Sequence, residues 1–385
     1  MPDASQHAPL ETDKGFSRRA LELARKGIGL ASPNPCVGAV LVDANGHIIG
    51  EGFHTYDGIK HAEVIALEQA GEKARGATLY LNLEPCSHQG RTGPCAEAVI
   101  RAGVGRVVAS MQDPNPAVSG EGLSRLRAAG ITVEVGAVES EPRRLNESFA
   151  KFIRTGTPLI TLKSAMTLDG KIASENFRST TKPGQELTTG EASRAHVHQL
   201  RHASDAILVG VGTVIADDPL LTDRSGHPRR RSLLRVILDS RLRLPIESRL
   251  VKSANQDVVV LCAEANQERK IALQNRGVRV EQITSAADGH PDWNAVLKWL
   301  GQLQITSVLI EGGSLINASA LEANIADKVF LYYAPRILGG MQSVPFASGA
   351  GFGSVAAAAH VKNIKLHHFG EDFAVEGYIR DPYAG

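Results

Sequence analysis

Thr78-Leu79-Tyr80-Leu81-Asn82-Leu83-Glu84-Pro85-Cys86, then Pro94-Cys95-Ala96-Glu97-Ala98-Val99-Ile100-Arg101-Ala102, is the stretch on which the fold turns. Residues 78–83 are strand formers, whereas residues 95–102 carry helical spacing. Pro94 stands near the start of that helix, where a missing N–H does no harm. One strand feeding one helix through a cysteine-bearing loop is the unit of an α/β layer structure. The flanking segments repeat it. Upstream, Phe16, Ala20, Leu23, Ala24 and Ile28 recur at helical spacing, and Gly27 and Gly29 end the run. Residues 37–42 and 47–50 flank Asn45-Gly46, a hairpin turn whose residues both tolerate φ > 0. A helix is expected from about His61 to Ala74. Strand 106–110, helix 122–129 and strand 131–135 complete an alternating series, which implies a largely parallel sheet. Residues 1–14 read as a frayed, flexible tail.

A polar, helix-forming stretch at 139–152 runs into Arg154-Thr155-Gly156-Thr157-Pro158, where Gly and Pro mark a linker. Strands at 159–162, 206–211, 233–238, 258–261, 307–310 and 328–333 make a second series. It closes in a hairpin of 364–368 and 373–379 around Gly370-Glu371-Asp372. Two α/β domains are therefore expected, 15–157 and 158–385, since 385 residues exceed one ordinary core. The 42 basic against 41 acidic residues leave no footprint for nucleic acid or an anionic membrane. The longest nearly apolar stretch, 206–216, contains glycine and is too short to span a bilayer, and residues 1–7 lack a secretory core. Four cysteines make no disulfide framework, so a reducing, cytoplasmic setting is expected.

The chemistry lies in His61-Ala62-Glu63, Glu84-Pro85-Cys86 and Pro94-Cys95. One imidazole (His61) and two thiolates (Cys86, Cys95) suit Zn2+, and three protein ligands leave a tetrahedral position for water, the mark of a catalytic site. Zinc lowers the pKa of bound water to about 7. Glu63, two residues from His61, cannot act as a second ligand on its helical face but can shuttle protons. Both cysteines are expected near helix N-termini, which favours thiolate. Cys36 and Cys262 fall outside the pattern and read as packing residues. From spacing alone, His88 and Arg91 are either a solvated loop or a phosphate grip, and His54 is equally open.

In the second half, Gly210-Val211-Gly212-Thr213 follows a strand but is a weak dinucleotide signal. Glu311-Gly312-Gly313-Ser314-Leu315-Ile316 is stronger: a strand meets a glycine pair and a helix, whose N–H groups can cradle phosphate. The alternative is a plain tight turn. Asp217-Asp218-Pro219 reads as a capping turn rather than a metal pair.

His-x-Glu followed by Pro-Cys…Cys resembles the signature of zinc nucleoside and nucleobase deaminases, except that eight residues instead of two separate the cysteines. With Pro33-Asn34-Pro35-Cys36-Val37-Gly38-Ala39-Val40, the whole run 84–95 and Ala109-Ser110-Met111-Gln112-Asp113-Pro114-Asn115-Pro116, the chain resembles the bifunctional riboflavin-biosynthesis deaminase–reductases, in which that long insert is itself a mark. The resemblance runs from about residue 16 onward. It implies a cytidine-deaminase-like α/β/α sandwich followed by a dihydrofolate-reductase-like α/β domain. The first would remove the 2-amino group of 2,5-diamino-6-(5-phosphoribosylamino)pyrimidin-4-one; the second would use NADPH to reduce the ribosyl unit to ribityl. It further implies small phosphorylated aminopyrimidine substrates and a homo-oligomer. On the resemblance, His61, Cys86 and Cys95 hold zinc, Glu63 is the proton shuttle, and Asn34, His54, His88 and Arg91 grip the substrate.

Lys163-Ser164-Ala165-Met166-Thr167-Leu168-Asp169-Gly170, residues 213–224, Leu238-Asp239-Ser240 and Pro335-Arg336-Ile337-Leu338-Gly339-Gly340 extend the likeness. It places Ala165, Leu187, Thr213, Asp217, Ser240, Gly313, Ser314, Leu315, Ile316, Asn317 and Ala318 along NADPH. Lys163, Gln185, Arg201, Leu221, Arg224 and Glu311 would face the sugar phosphate. Two departures stand out. The pattern Gly-x-His-x-x-Ala-Gly reads Gly52-Phe53-His54-Thr55-Tyr56-Asp57-Gly58, adding a carboxylate. The segment Ser-x-Trp-Ile-Thr reads Gln185-Glu186-Leu187-Thr188-Thr189, so the cofactor loses an aromatic wall. A zinc deaminase joined to an impaired reductase-like binding module is the alternative.

Overall fold

Five short strands form the first sheet: β1 (Gly38–Val42), β2 (Ile48–Phe53), β3 (Thr78–Leu81), β4 (Arg106–Ala109) and β5 (Thr132–Val135), in the order β2-β1-β3-β4-β5. The computed structural model describes residues 12–91, 93–136, 138–174 and 188–384. Its two units divide between Thr155 and Gly156. The first sheet is mixed rather than largely parallel. β1 and β2 are joined through Asn45-Gly46, with Gly46 at φ +83°, so their ladder is antiparallel, and β1 also runs against β3. Only β3, β4 and β5 are mutually parallel.

Helices cover both faces of this sheet. Phe16, Ala20 and Leu23 of α1 (Asp13–Arg25) pack on Val40, Val42, Tyr80 and Val108. Strand residues alternate between faces, so Gly50 and Gly52, paired with Leu41 and Ala39, look the other way. There α2 (Ala62–Ala70) lies so close that a Cβ on Gly50 would stand 2.1 Å from the Ala66 carbonyl oxygen. On Gly52 it would stand 2.3 Å from that of Ala62. Only glycine admits this approach, and it seats the start of α2, which carries His61 and Glu63. The stretch expected to be helical through Ala74 is α-helical to Ala70 and 3-10 from Gly71 to Ala74.

The tail boundary needs correction: α1 begins at Asp13, inside the stretch read as flexible. The Thr12 side chain accepts from the Gly15 N–H, and Asp13 is held by Tyr80 Oη (2.7 Å) and both terminal nitrogens of Arg106 (2.9 and 2.7 Å). A capped first turn with long-range partners does not fray. Residues 1–11 lie outside the described residues.

The second unit is built on a nine-stranded sheet. Its strands are β6 (Leu159–Thr167), β8 (Ala206–Gly210), β9 (Leu234–Leu238), β10 (Val258–Cys262), β11 (Arg279–Gln282), β12 (Ser307–Ile310), β13 (Lys328–Ala334), β15 (Lys362–Phe369) and β16 (Asp372–Tyr378). Their order is β11-β10-β9-β8-β12-β6-β13-β16-β15; β7 (Lys171–Ala173) and β14 (Val344–Pro345) form a small separate pair. The ladders from β11 to β13 are parallel, and the terminal hairpin is antiparallel. β8, β9 and β10 are buried along their whole length, as a parallel sheet covered on both faces requires. Leu208, Val236 and Leu261 serve one core, and Ile207, Ile237 and Val260 the other. Among the described residues no helix is long and apolar enough to cross a membrane.

Candidate metal centre and active sites

The three residues read as metal ligands converge. His61 precedes α2 as its N-cap, Cys95 opens α3 (Cys95–Ala102), and Cys86 lies between β3 and α3. Their ligand atoms all lie within 4.8 Å of one another. His61 Nδ1 is 3.0 Å from Cys95 Sγ and 3.5 Å from Cys86 Sγ. Cys86 is not at a helix start, contrary to expectation; it receives the Cys95 N–H instead, at 3.3 Å. The hydrogen bond from Cys95 pulls the Cys86 thiol down to about 4, while giving that bond, together with burial, pushes Cys95 up. His61 is raised, chiefly by its hydrogen bond with Cys86.

Glu63 is only 3 % exposed, and burial pushes its carboxyl up to about 7. Its Oε2 has no hydrogen-bond partner. One imidazole and two thiols with an orphaned carboxylate oxygen beside them fit a catalytic zinc site.

Around this centre, His54 is buried, its ring edge-on to that of His61 at 5.1 Å, and burial holds it below its ordinary pKa. Both of its ring nitrogens are engaged. Nδ1 is 3.0 Å from the Lys60 carbonyl oxygen and Nε2 is 3.0 Å from Asn34 Nδ2. A carbonyl only accepts, so Nδ1 carries the proton, Nε2 accepts, and the Asn34 amide is fixed with its NH2 toward His54. His88 is exposed. Arg91 donates to the Tyr56 carbonyl at 2.8 Å and covers the Tyr56 ring at 4.5 Å. Asp57, the added carboxylate, is exposed in a turn.

Three polar residues that shape this region were given no role from sequence. Buried Asn82 accepts from the Gly38 N–H and donates to the Cys36 carbonyl, both at 2.8 Å. Asn146 brackets the same Cys36 backbone. Glu84 is buried on backbone amides. The signal available for Asn82 was a lone amide in the apolar run of residues 79–83, one position past the end of β3.

In the second unit, Ser240, Gly210 with the start of the helix Val211–Asp217, and Glu311 lie at or just past the carboxyl ends of adjacent strands β9, β8 and β12, and Lys163 and Ala165 lie on neighbouring β6 beyond its pairing with β12; open α/β sheets bind ligands at such strand ends. Glu311 joins the pieces. Its Oε1 takes Arg201 Nε at 2.6 Å, and its Oε2 takes Arg201 Nη2 at 3.0 Å and Lys163 Nζ at 3.2 Å. Burial would raise this carboxyl, but the Lys163 and Arg201 charges prevail and hold it at about 2.

Gly313 caps the helix Ser314–Glu322 without a side-chain bond. Within that helix, the buried Ser314 Oγ and Asn317 Oδ1 have no partner. Orphaned polar atoms and unclaimed amides at a helix start fit a phosphate-bearing cofactor. Ile316 packs where a Cβ on Gly210 or Gly312 would stand, at 2.7 and 2.6 Å, and Ala318 is buried. Leu315 is 73 % exposed. Ser240 Oγ bonds His290 Nδ1 at 2.8 Å, and Thr213 and Asp217 lie on the helix Val211–Asp217. Leu221 takes φ +54° with its side chain in the core, so its backbone is what can face a ligand. Arg224 is exposed. Asp218 accepts from the Arg249 N–H at 2.7 Å, a capping role as read from the sequence. Gln185 and Leu187 lie outside the described residues.

Comparison with known proteins covers both units. Residues 10–111 match the cytidine and deoxycytidylate deaminase zinc-binding region, and residues 158–375 match the RibD C-terminal domain. The riboflavin biosynthesis protein RibD of Aquifex aeolicus is 41 % identical over 365 residues, 95 % of this chain and 98 % of that protein. That of Escherichia coli is 40 % identical over 375 residues, 94 % and 97 % of the two chains. The solved structure of Acinetobacter baumannii RibD superposes with a TM-score of 0.81 at 37 % identity, covering 96 % and 99 %. A Thermotoga maritima structure, described as a diaminohydroxyphosphoribosylaminopyrimidine deaminase/5-amino-6-(5-phosphoribosylamino)uracil reductase, gives 0.79 at 36 %, covering 95 % and 98 %.

Proposed function

This chain belongs to the RibD family of riboflavin-biosynthesis deaminase–reductases, and on that premise we propose which of its residues carry each of the two reactions. The protein is a bifunctional enzyme that uses Zn2+ and NADPH. It deaminates 2,5-diamino-6-(5-phosphoribosylamino)pyrimidin-4-one and then reduces the ribosyl side chain to ribityl. The observation that carries the site assignment is the convergence of His61, Cys86 and Cys95 next to the buried, unpartnered Glu63 Oε2. An RNA-editing reading lacks a short Cys-x-x-Cys and a basic face.

In the deaminase, His61, Cys86 and Cys95 hold zinc, which supplies a Lewis acid that makes water nucleophilic at neutral pH. Glu63 Oε2 would take one proton from the attacking water and give it to the ring nitrogen, then carry the second, from the hydroxyl so formed, to the amino group, which leaves as ammonia. Asn34 Oδ1 accepts from a substrate N–H, and His54 keeps it facing that way. His88 and Arg91 take the phosphoribosyl end; Arg91 is pre-set by Tyr56.

In the reductase, the amides of Gly313 to Asn317 and the Ser314 hydroxyl hold the NADPH phosphates, with Ala165, Thr213, Asp217, Ser240 and Ala318 along the cofactor. NADPH supplies the hydride. Glu311 fixes Lys163 and Arg201 with respect to each other. Lys163 Nζ holds a proton beside the opening sugar, and Arg201 with Arg224 receives the phosphate. Reduced thiolates and NADPH suit a cytoplasmic setting.

The test supplies the diaminopyrimidine phosphate to zinc-replete protein with and without NADPH and identifies the products. Ammonia should appear in both arms and ribityl product with NADPH oxidation in one. No ammonia would overturn the deaminase assignment. Ammonia without NADPH oxidation would reduce the second unit to a binding module.

A further inference from the structure

Glu84 is a buried carboxylate two residues before Cys86, and the chemistry above makes no use of it. Its Oε1 accepts from the backbone N–H of Gly122 (2.8 Å) and Leu123 (3.2 Å), and its Oε2 from those of Asp113 (3.0 Å) and Gly120 (2.9 Å). Gly120 is the N-cap of α4 (Glu121–Ala128) and has no side-chain cap bond, so Glu84 supplies, from a distant part of the chain, what a capping residue would. The contact is tight: a Cβ on Gly122 would stand 2.0 Å from the Pro85 carbonyl oxygen. On the other side of Cys86, Ser87 Oγ donates to Glu121 Oε2 at 3.1 Å. The first turn of α4 therefore grips the chain both before and after Cys86.

We propose that Glu84 is a positioning residue of the metal centre, holding Cys86 Sγ where His61 and Cys95 meet it by locking residues 84–87 onto α4. This rests on the ligand assignment above. Each oxygen accepts two backbone N–H groups, so all four donors depend on a side chain that only accepts there. The isosteric amide would set its own NH2 against two of the four donors. Ligand supports of this kind cost about 10–100-fold in metal affinity when removed.

The experiment uses the full chain stripped of metal. Zn2+ affinity is measured by chelator competition, and the thiolate-to-cobalt absorption is recorded after Co2+ loading. Glu84→Gln is expected to bind zinc about 10–100-fold more weakly and to show an altered cobalt band. Gly122→Ala, which keeps the carboxylate but displaces Pro85, should move both readouts the same way. Ser124→Ala, on the exposed side of α4, should match wild type. A purely structural role for Glu84 would lower the melting temperature and leave affinity and band unchanged; that result, or zinc affinity within about twofold of wild type for the folded variants, overturns the proposal. Should Glu84→Gln not fold, the affinity and cobalt band of Gly122→Ala decide the matter in the same way. Wild-type protein that binds no zinc would defeat the ligand assignment itself, whereas wild-type binding with unaffected variants defeats the Glu84 inference alone.

Discussion

Replacing Glu311 by Gln removes the shared counter-charge of Lys163 and Arg201 while keeping the shape of the side chain. The three side chains are 10–13 % exposed, so solvent screens them little. A folded-state carboxyl at about 2, against an ordinary 4.5, corresponds to about 3 kcal/mol at about 1.4 kcal/mol per pH unit. An independent route gives a similar size: removing one partner from a buried ion pair costs about 3–5 kcal/mol. Because the folded-state pKa is depressed, this stabilisation is fully present above about pH 4.5 and is lost as the pH falls toward 2. Both tryptophans, Trp293 and Trp299, belong to the second unit, so their fluorescence follows that unit's unfolding. At pH 7 Glu311→Gln should lower its melting temperature by roughly 6–12 °C. At pH 3 the gap to wild type should shrink to about half, because the carboxyl is then almost fully protonated in the unfolded chain while it stays mostly ionised in the folded one. Equal melting at pH 7, or a gap that stays constant down to pH 3, would refute the ion-pair reasoning.

Three further outcomes are expected in the first unit. Glu63→Gln should retain zinc by elemental analysis while ammonia release falls about 10²–10⁴-fold, because it removes a proton carrier and no ligand; release at the wild-type rate contradicts the role. Cys95→Ala should abolish stoichiometric zinc and lower the first unit's thermal stability, since metal binding and folding are coupled; full metal content would exclude Cys95 from the ligand set. Gly52→Ala puts a Cβ 2.3 Å from the Ala62 carbonyl, so α2 must shift. The expected cost is about 1–3 kcal/mol by denaturant unfolding, with weaker zinc binding because His61 and Glu63 flank Ala62. An unchanged zinc affinity would show that α2 does not set the ligand geometry.

The candidate zinc ligands were readable because each occurs in a short local pattern. His61 and Glu63 share one helix start, and Cys95 opens another. The helix start at Cys86 did not materialise, since the chain there is pinned by Glu84 and by the Cys95 amide rather than by a helix of its own. Gly50 read as a strand residue and Gly52 as the start of a sequence pattern, and nothing local reveals that α2 lies against them. His54 could be named but not assigned: its role follows from the Lys60 carbonyl on one nitrogen and Asn34, 20 residues away, on the other. The glycine pair at Gly312-Gly313 was legible as a strand-to-helix turn, yet the orphaned Ser314 Oγ and Asn317 Oδ1, on which the proposed cofactor cradle rests, were not.

By itself, the sequence determined the two α/β halves, the candidate zinc donor set and the family, because hydrophobic period, turn chemistry and ligand type are carried by residues close together along the chain. Which groups pair was decided only by the tertiary structure. Glu311 meets Arg201 across 110 positions and Lys163 across 148, because β12 inserts between β8 and β6. Glu84 reaches amides 29 to 39 residues ahead because β3 and β4 are neighbours and α4 follows β4. Strand order is a global outcome of burying both faces of a sheet at once, and no local stretch of chain encodes it.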